Sequence, residues 1–356
     1  MNMKKYDHFI FIVYTLLLIP GFSGVMLIYG SRYSSQYGFS AVELALKQCI
    51  FLLTGFLIME FMRRIDYRKY LTYGTKLFFP ALIILYGVLI FGVKVNGMRG
   101  WYSIGNIYLQ PSALFCFIYI LFISDVYMKS ENKEKAFLIN SVCTLLFTGA
   151  ILCQPDYGTA MLYVLTFAII SYLAGVKLYV LSILPAGALC SLIIFISRKE
   201  YGFNRLYGFF SENANVFGEA WHWKQFQLTI ARGGWFGNKL DGAFWSNNYL
   251  PFAYNDSAYA AMHELIGFCG AFTILMLFFV LFFIIFKKAS KNQYSLLITS
   301  SAATIMMHTL IHCSINCAMV PTTGLTMPLI SYGGSSLIGV FMIYGMILAF
   351  LNCDEN

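Results

Sequence analysis

Charge is scarce in this chain. Of its 356 residues 11% are charged and 59% hydrophobic, where an ordinary soluble domain carries about 25% charged residues. A water-soluble globule must present polar groups over its whole surface. Here the Asp, Glu, Lys and Arg are confined to short intervals between long apolar runs, so lipid is the solvent for most of the chain. Nucleotide signatures are missing too. There is no Walker A motif, no GxGxxG following a strand pattern, and no soluble stretch large enough for a nucleotide-binding fold, which argues against ATP hydrolysis or a nucleotide-sugar donor in a cytosolic domain. The nine cysteines show neither CxxC spacing nor a paired framework and read as small buried hydrophobes. No internal repeat, coiled coil or low-complexity tract is present, which leaves a single domain over 1–356. The net charge of +8 is dispersed over many short loops, so it forms no basic stripe for nucleic acid.

What is present is a series of apolar runs. A spanning helix needs about 20 residues to cross roughly 30 Å of hydrocarbon. Ten candidates fall near 8–30, 45–62, 72–93, 111–128, 136–153, 159–175, 178–197, 261–286, 294–318 and 333–351. The fold expected is an all-α polytopic bundle. The first run, behind Lys4 and Lys5, resembles a secretory signal, but the runs that follow it make it an uncleaved first helix.

Orientation follows from Lys and Arg in the short loops. With the N-terminus cytoplasmic, the inner segments hold Lys4, Lys5, Arg63, Arg64, Arg68, Lys69, Lys129, Lys133, Lys135, Lys177, Lys287, Lys288 and Lys291, and the short outer ones hold Arg32, Lys47, Lys94 and Arg99. Both termini are therefore expected inside. A long outer loop, 198–260, is basic and aromatic, with Trp221-His222-Trp223, Phe226, Trp235, Phe236, Phe244 and Trp245. Such composition suits a segment at the headgroup level. Without a nucleotide fold, transferase chemistry requires a donor carrying its own leaving group. A polyprenyl-diphosphate-linked sugar presents its anionic head where that loop lies.

Candidate chemistry is sparse, and each residue has a structural alternative. Asp256 stands where the long loop re-enters the membrane, as a cap for the eighth helix or as a partly desolvated base. Asp156, in Gln154-Pro155-Asp156-Tyr157-Gly158, reads first as the cap of the sixth helix. Arg99, Lys94, Arg232 and Lys239 are outer cations suited to a diphosphate or to interfacial snorkelling. Glu264 and His263, two turns below Asp256 in a regular helix, line a cleft or brace a neighbour. Ser300, Thr304, His308, His312 and Asn316 recur every four residues along one helix face. Two histidines at that spacing are too few ligands for a metal, so interhelical hydrogen bonding is expected. Gly333-Gly334-Ser335-Ser336 is either a phosphate cradle or a close helix contact.

Five segments, in order along nearly the whole chain, resemble the FtsW/RodA/SpoVE family, also called SEDS proteins. They are Gly97–Trp101 with Gln110-Pro111-Ser112; Gln154–Ala160; Gln225 and Gln227 with Gly233-Gly234-Trp235-Phe236-Gly237; Leu250-Pro251 through Asp256 to Glu264 and Gly267-Phe268; and Asn316 through Pro321 and Gly324 to Pro328–Ser336. The resemblance implies ten helices in the bacterial cytoplasmic membrane and polymerisation of lipid II into glycan strands, with a class B penicillin-binding transpeptidase as partner. It implies Asp256 as the base and Arg99, Trp101, Gln110, Asp156, Gln225, Gln227, Arg232, Lys239, Glu264, Asn316, Ser331, Gly333, Gly334 and Ser335 around the substrate. No organic cofactor or metal cluster is implied, although a divalent cation is compatible with a diphosphate. Where the family has Glu and Lys after Gln-Pro-Ser, this chain has Ala113 and Cys116; Tyr254 replaces the usual His before the Asp, and Leu265 a frequent Glu. Two alternatives stay open: a flippase for the same lipid, and a catalytically silent scaffold for the transpeptidase.

Overall fold

A computed structural model of the chain describes residues 3–30, 40–95, 97–105, 107–181, 221–238, 246, 248–250 and 252–352. Helices α1 (Met3–Gly30), α2 (Ala41–Arg63) and α3 (Tyr67–Phe91) follow the first three apolar runs. Asp66 caps α3 by accepting the N–H of Arg68. A small antiparallel sheet then intervenes in the order β1 (Val93–Val95), β2 (Met98–Ile104), β3 (Ile107–Leu109). In it Val93 pairs with Trp101 and Tyr102 with Leu109.

The fourth apolar run, expected as one helix over 111–128, is divided. A short α4 (Pro111–Leu114), opened by its proline, gives way at Phe115 to α5 (Cys116–Lys129). Helices α6 (Lys133–Cys153) and α7 (Tyr157–Leu173) are capped by the side chains of Asn132 and Asp156. Of the expected seventh span only α8 (Leu178–Leu181) falls among the described residues, and most of 178–197 lies outside them. The long loop contributes α9 (Trp221–Gly233), while its 198–220 portion, with Phe244 and Trp245, also lies outside. The chain continues through α10 (Ala258–Ala289), α11 (Ser295–Asn316) and α12 (Gly334–Leu351).

Six helices among the described residues are long and apolar enough to cross a membrane, and α3, which is bent, brings the number to as many as seven. Helix α7, at 17 residues, is apolar but shorter. Phe11, Phe61, Ile83, Ile90 and Leu145 are exposed on these helices, which hydrocarbon tolerates and water does not.

Contacts group the chain into two compact units. One comprises 1–50, 185–281 and 307–333; the other 51–184, 282–306 and 334–356. The second has an aromatic core: Phe78 stacks on Phe122 at 4.0 Å, and Phe147, Tyr119 and Tyr163 close around one another at 4.7–5.3 Å. Tyr119 Oη also shares a 2.8 Å hydrogen bond with Thr144 Oγ1. In the first unit a smaller core of Ile28, Leu44 and Ala45 packs against Val25, Tyr254 and Tyr332.

Helix α10 is not regular, contrary to the expectation for 261–286. At Gly267 the backbone takes φ 68° and ψ −178°, a region open essentially to glycine alone. The Gly233–Gly237 segment fills the break. Phe268 N–H donates to the Gly234 carbonyl at 2.9 Å, Cys269 N–H to the Trp235 carbonyl at 3.0 Å, and Asn238 N–H to the Glu264 carbonyl at 2.8 Å. In lipid an unsatisfied backbone group costs several kcal/mol, so a helix breaks only where other backbone takes up the freed donors and acceptors. The glycines allow that approach: a Cβ on Gly237 would stand 2.3 Å from the Leu265 oxygen.

Candidate active site

Asp256 is half-buried in the turn that precedes α10. Three consecutive carbonyls hold this turn. Tyr254 O accepts the N–H of Tyr332 at 2.8 Å, Asn255 O the hydroxyl of Ser331 at 2.6 Å, and Asp256 O the amide of Asn316 at 3.1 Å. Ser331 is itself fixed, since its hydroxyl accepts Met327 N–H at 2.7 Å and its carbonyl accepts Gln48 Nε2 at 3.1 Å. Asn316 Oδ1 takes the N–H of Ala260 at 3.0 Å, so one amide on α11 grips both the Asp256 carbonyl and the first turn of α10. Helix α10 starts at Ala258, which puts Asp256 one place before the cap position held by Ser257.

The interhelical hydrogen bonding expected of the polar face of α11 is met by Asn316, while the histidines bond to the segment that follows the helix. His312 Nδ1 lies 2.8 Å from the Leu325 carbonyl, which requires that nitrogen to carry the proton. His308 bonds to the backbone of Thr326. These ties hold 324–326 along α11, and a Cβ at Gly324 would lie 3.7 Å from Asp256 Oδ2. The upper members act within their own unit: Thr304 Oγ1 donates to the Ser300 carbonyl at 2.8 Å. No group of three or more His, Cys, Asp or Glu with metal-binding geometry is assembled among the described residues.

Glu264 is fully buried and braces the long loop, accepting the N–H of Ser246 at 2.6 Å and lying 3.5 Å from Arg232 Nε. Arg232 thus has a carboxylate partner within the protein. Gln225 is buried on α9 and Gln227 exposed; Lys239 lies outside the described residues. The aromatic residues of this loop do not act as one belt. Trp223 and Phe226 are buried, whereas Trp235 and Phe236 are 66% and 82% exposed.

The other unit gathers a second group. Gln110 Nε2 donates to Asp156 Oδ2 at 3.1 Å, and Gln110 N–H donates to Ser335 Oγ at 2.9 Å. Asp156 also caps α7 through Thr159 N–H at 3.0 Å. Burial pushes its carboxyl above the ordinary carboxylate range, and the bonds from Thr159 oppose that rise. Gly334 would place a Cβ 2.9 Å from the Phe51 ring, so the small residues at the start of α12 serve close packing; Gly333 ends the first unit. On β2, Trp101 is half-buried and Arg99 Nη1 donates to the Leu89 carbonyl at 2.9 Å. Among the described residues Arg99 has no carboxylate partner, and its Nε is buried without an acceptor.

One residue at the Asp256 site escaped the sequence reading. Asp256, Ser257 and Thr322 line a cavity of about 40 Å³ together with His222 of α9. By sequence His222 belongs with Trp221 and Trp223 to an interfacial aromatic stretch. Its spacing of four from Phe226, which lines the same cavity, is the helical signal that places both on one face.

The cell cycle protein family model of FtsW, RodA and SpoVE matches residues 7–355. A probable peptidoglycan glycosyltransferase FtsW of Coxiella burnetii is 31% identical over 326 residues, covering 87% of each chain. That of Wigglesworthia glossinidia brevipalpis is 30% identical, covering 98% of this chain and 96% of its own. Among solved structures, a chain from work on the structural coordination of polymerization and crosslinking by a peptidoglycan synthase complex superposes with a TM-score of 0.78 at 21% identity, covering 97% of both. The rod shape determining protein RodA of Thermus thermophilus gives 0.69 at 20% identity over 96% of both. The chain belongs to the FtsW/RodA/SpoVE family of cell cycle proteins.

Proposed function

We propose that this chain is a peptidoglycan glycosyltransferase that polymerises lipid II at the outer face of the bacterial cytoplasmic membrane, both termini being cytoplasmic. Asp256 is the general base of an inverting transfer. The carrying observation is the Asp256 turn, with Tyr254, Asn255 and Asp256 carbonyls each bonded to α11 or the segment after it. A carboxylate on so constrained a backbone meets its substrate without reorganisation. The acceptor hydroxyl gives its proton to Asp256 as its oxygen bonds to the anomeric carbon of the donor. The bond from that carbon to the diphosphate breaks, and its electron pair leaves with the phosphate. The names of the relatives support the activity.

Arg99 is the cation assigned to the departing diphosphate, because it carries no internal counter-charge among the described residues. A class B penicillin-binding transpeptidase is the proposed partner, supported by the likeness to a chain of a peptidoglycan synthase complex. No organic cofactor is required, and a divalent cation bound to the diphosphate is compatible with the scheme.

Reconstitution of the purified chain with its transpeptidase and lipid II tests this reading. Glycan polymer is expected; translocation without polymer would indicate a flippase, and partner binding with neither would indicate a scaffold. The engagement of Glu264 by Arg232 and Ser246 weighs against a cargo path through that carboxylate.

Arg99→Ala is expected to express and extract normally, since it loses one hydrogen bond worth about 1 kcal/mol. Polymerisation is expected to fall by about tenfold or more, up to the roughly 10²–10³ that removing one charge-stabilising donor costs. Unchanged turnover would take Arg99 out of the diphosphate site.

A further inference from the structure

We infer that His222 is the proton outlet of Asp256, receiving through a bridging water the proton that the carboxylate takes from the acceptor hydroxyl. This rests on the assignment of Asp256 as the base. Each transfer leaves Asp256 as a neutral acid, which must lose its proton before the next sugar is added. The cavity beside it is walled by Phe226, Phe252, Ile315 and Leu325, none of which carries a proton. Among the described residues that line it, His222 is the other titratable group.

At about 40 Å³ the cavity has room for ordered water, for which about 10–15 Å³ suffices. A water there has Asp256, His222, Ser257 and Thr322 around it, within the usual two to four polar partners. Next to these residues in the chain, Asn255 Oδ1 and Thr323 Oγ1 are buried without a protein partner, as groups that meet ordered water often are.

Imidazole is chemically suited to the task. It is the side chain whose ordinary titration falls between pH 5 and 8, and its two nitrogens allow a proton to enter at one and leave from the other. His222 is half-buried, so it is not sealed inside the protein. The step balances: the O–H bond of Asp256 breaks, water passes the proton on, an N–H bond forms on His222, and the ring later yields a proton to bulk water.

The neighbouring elements bring no competing group to this cavity among the described residues. Helix α11 presents Ile315, and the segment after it Thr322, Gly324 and Leu325. His312 is engaged with the Leu325 carbonyl. On α9 itself Lys224 is exposed and Arg232 pairs with Glu264.

The test uses the full chain with its transpeptidase and lipid II. His222→Gln is expected to retain thermal stability and partner binding while turnover falls roughly ten- to hundredfold, within or below the usual scale of acid–base effects. Added imidazole should restore part of the loss, and turnover should become dependent on buffer concentration in the variant and not in the parent. A merely structural role would produce neither response. His222→Asn provides the same comparison if Gln is not accommodated. Parent-like turnover of the variant at every pH, or a loss that neither imidazole nor buffer alters, would overturn the relay. Asp256→Asn run in parallel separates the two ideas. If it is inactive and His222→Gln is not impaired, the relay alone fails; if it polymerises like the parent, the base assignment fails and the relay with it.

Discussion

Replacing Asp256 by Asn is expected to lower polymerisation by roughly 10²–10⁴, the range over which positioned acid–base groups act, while thermal stability and partner binding stay close to the parent. Asn is nearly the same size and caps helices about as well as Asp, so a capping role would survive the exchange. The backbone of the turn should survive too, because its bonds to Tyr332, Ser331 and Asn316 are made by the carbonyls of 254, 255 and 256. The charge of the carboxylate is what the variant loses. Glycan product from purified lipid II, followed over time, gives the rate. Asp156→Asn is the companion measurement and should retain more activity, since that carboxyl caps α7 and accepts from Gln110. A fully active Asp256→Asn protein would end the proposed mechanism while leaving the family assignment intact.

Gly267→Ala should have the largest effect on folding. Its φ of 68° with ψ −178° costs an L-residue about 1–3 kcal/mol. Sterics add more, since a Cβ there would lie 2.4 Å from the Gly237 nitrogen, the Phe236 nitrogen and the Trp235 oxygen. All three contacts are backbone, so no side chain can rotate away. Relief requires the Gly233–Gly237 turn to lift off the break, which strands the N–H groups of Phe268 and Cys269 at several kcal/mol each in lipid. Against a total stability of about 5–15 kcal/mol, most of the protein is expected to be lost at extraction. Gly105→Ala is the control: φ is 61° there with nothing within 4 Å of the added carbon, so a cost of about 1 kcal/mol is expected. Monodispersity on gel filtration and thermal unfolding in detergent compare the two. If Gly267→Ala behaves like Gly105→Ala, the docked turn does not support the helix break.

The positions of most helices were legible because hydrocarbon imposes a length and a composition on any segment that crosses it. The cap at Asp156 followed from short-range chemistry and is seen in the structure, whereas the caps at Asp66 and Asn132 were found only there. Division of 111–128 at Phe115 was not legible, since the run is apolar on both sides of the break. The four-residue polar spacing on α11 suggested interhelical hydrogen bonding, which Asn316 makes and Thr304 does not, and nothing in it named the partners. Those are carbonyls of Leu325 and Asp256, and a carbonyl is chemically the same on every residue.

By itself, then, the sequence determined that this is a polytopic membrane protein and which family it resembles. Apolar length, loop charge and motif order are all local properties of a chain. Tertiary structure alone decided that Gly267 breaks α10 to receive the Gly233–Gly237 turn, that Glu264 is engaged by Arg232 and Ser246, and that His222 shares a cavity with Asp256. Each of these joins residues distant in the chain through backbone approach, a contact to a buried carboxylate or a shared cavity. Such contacts form only when packing brings distant segments together, which no local property of the chain encodes.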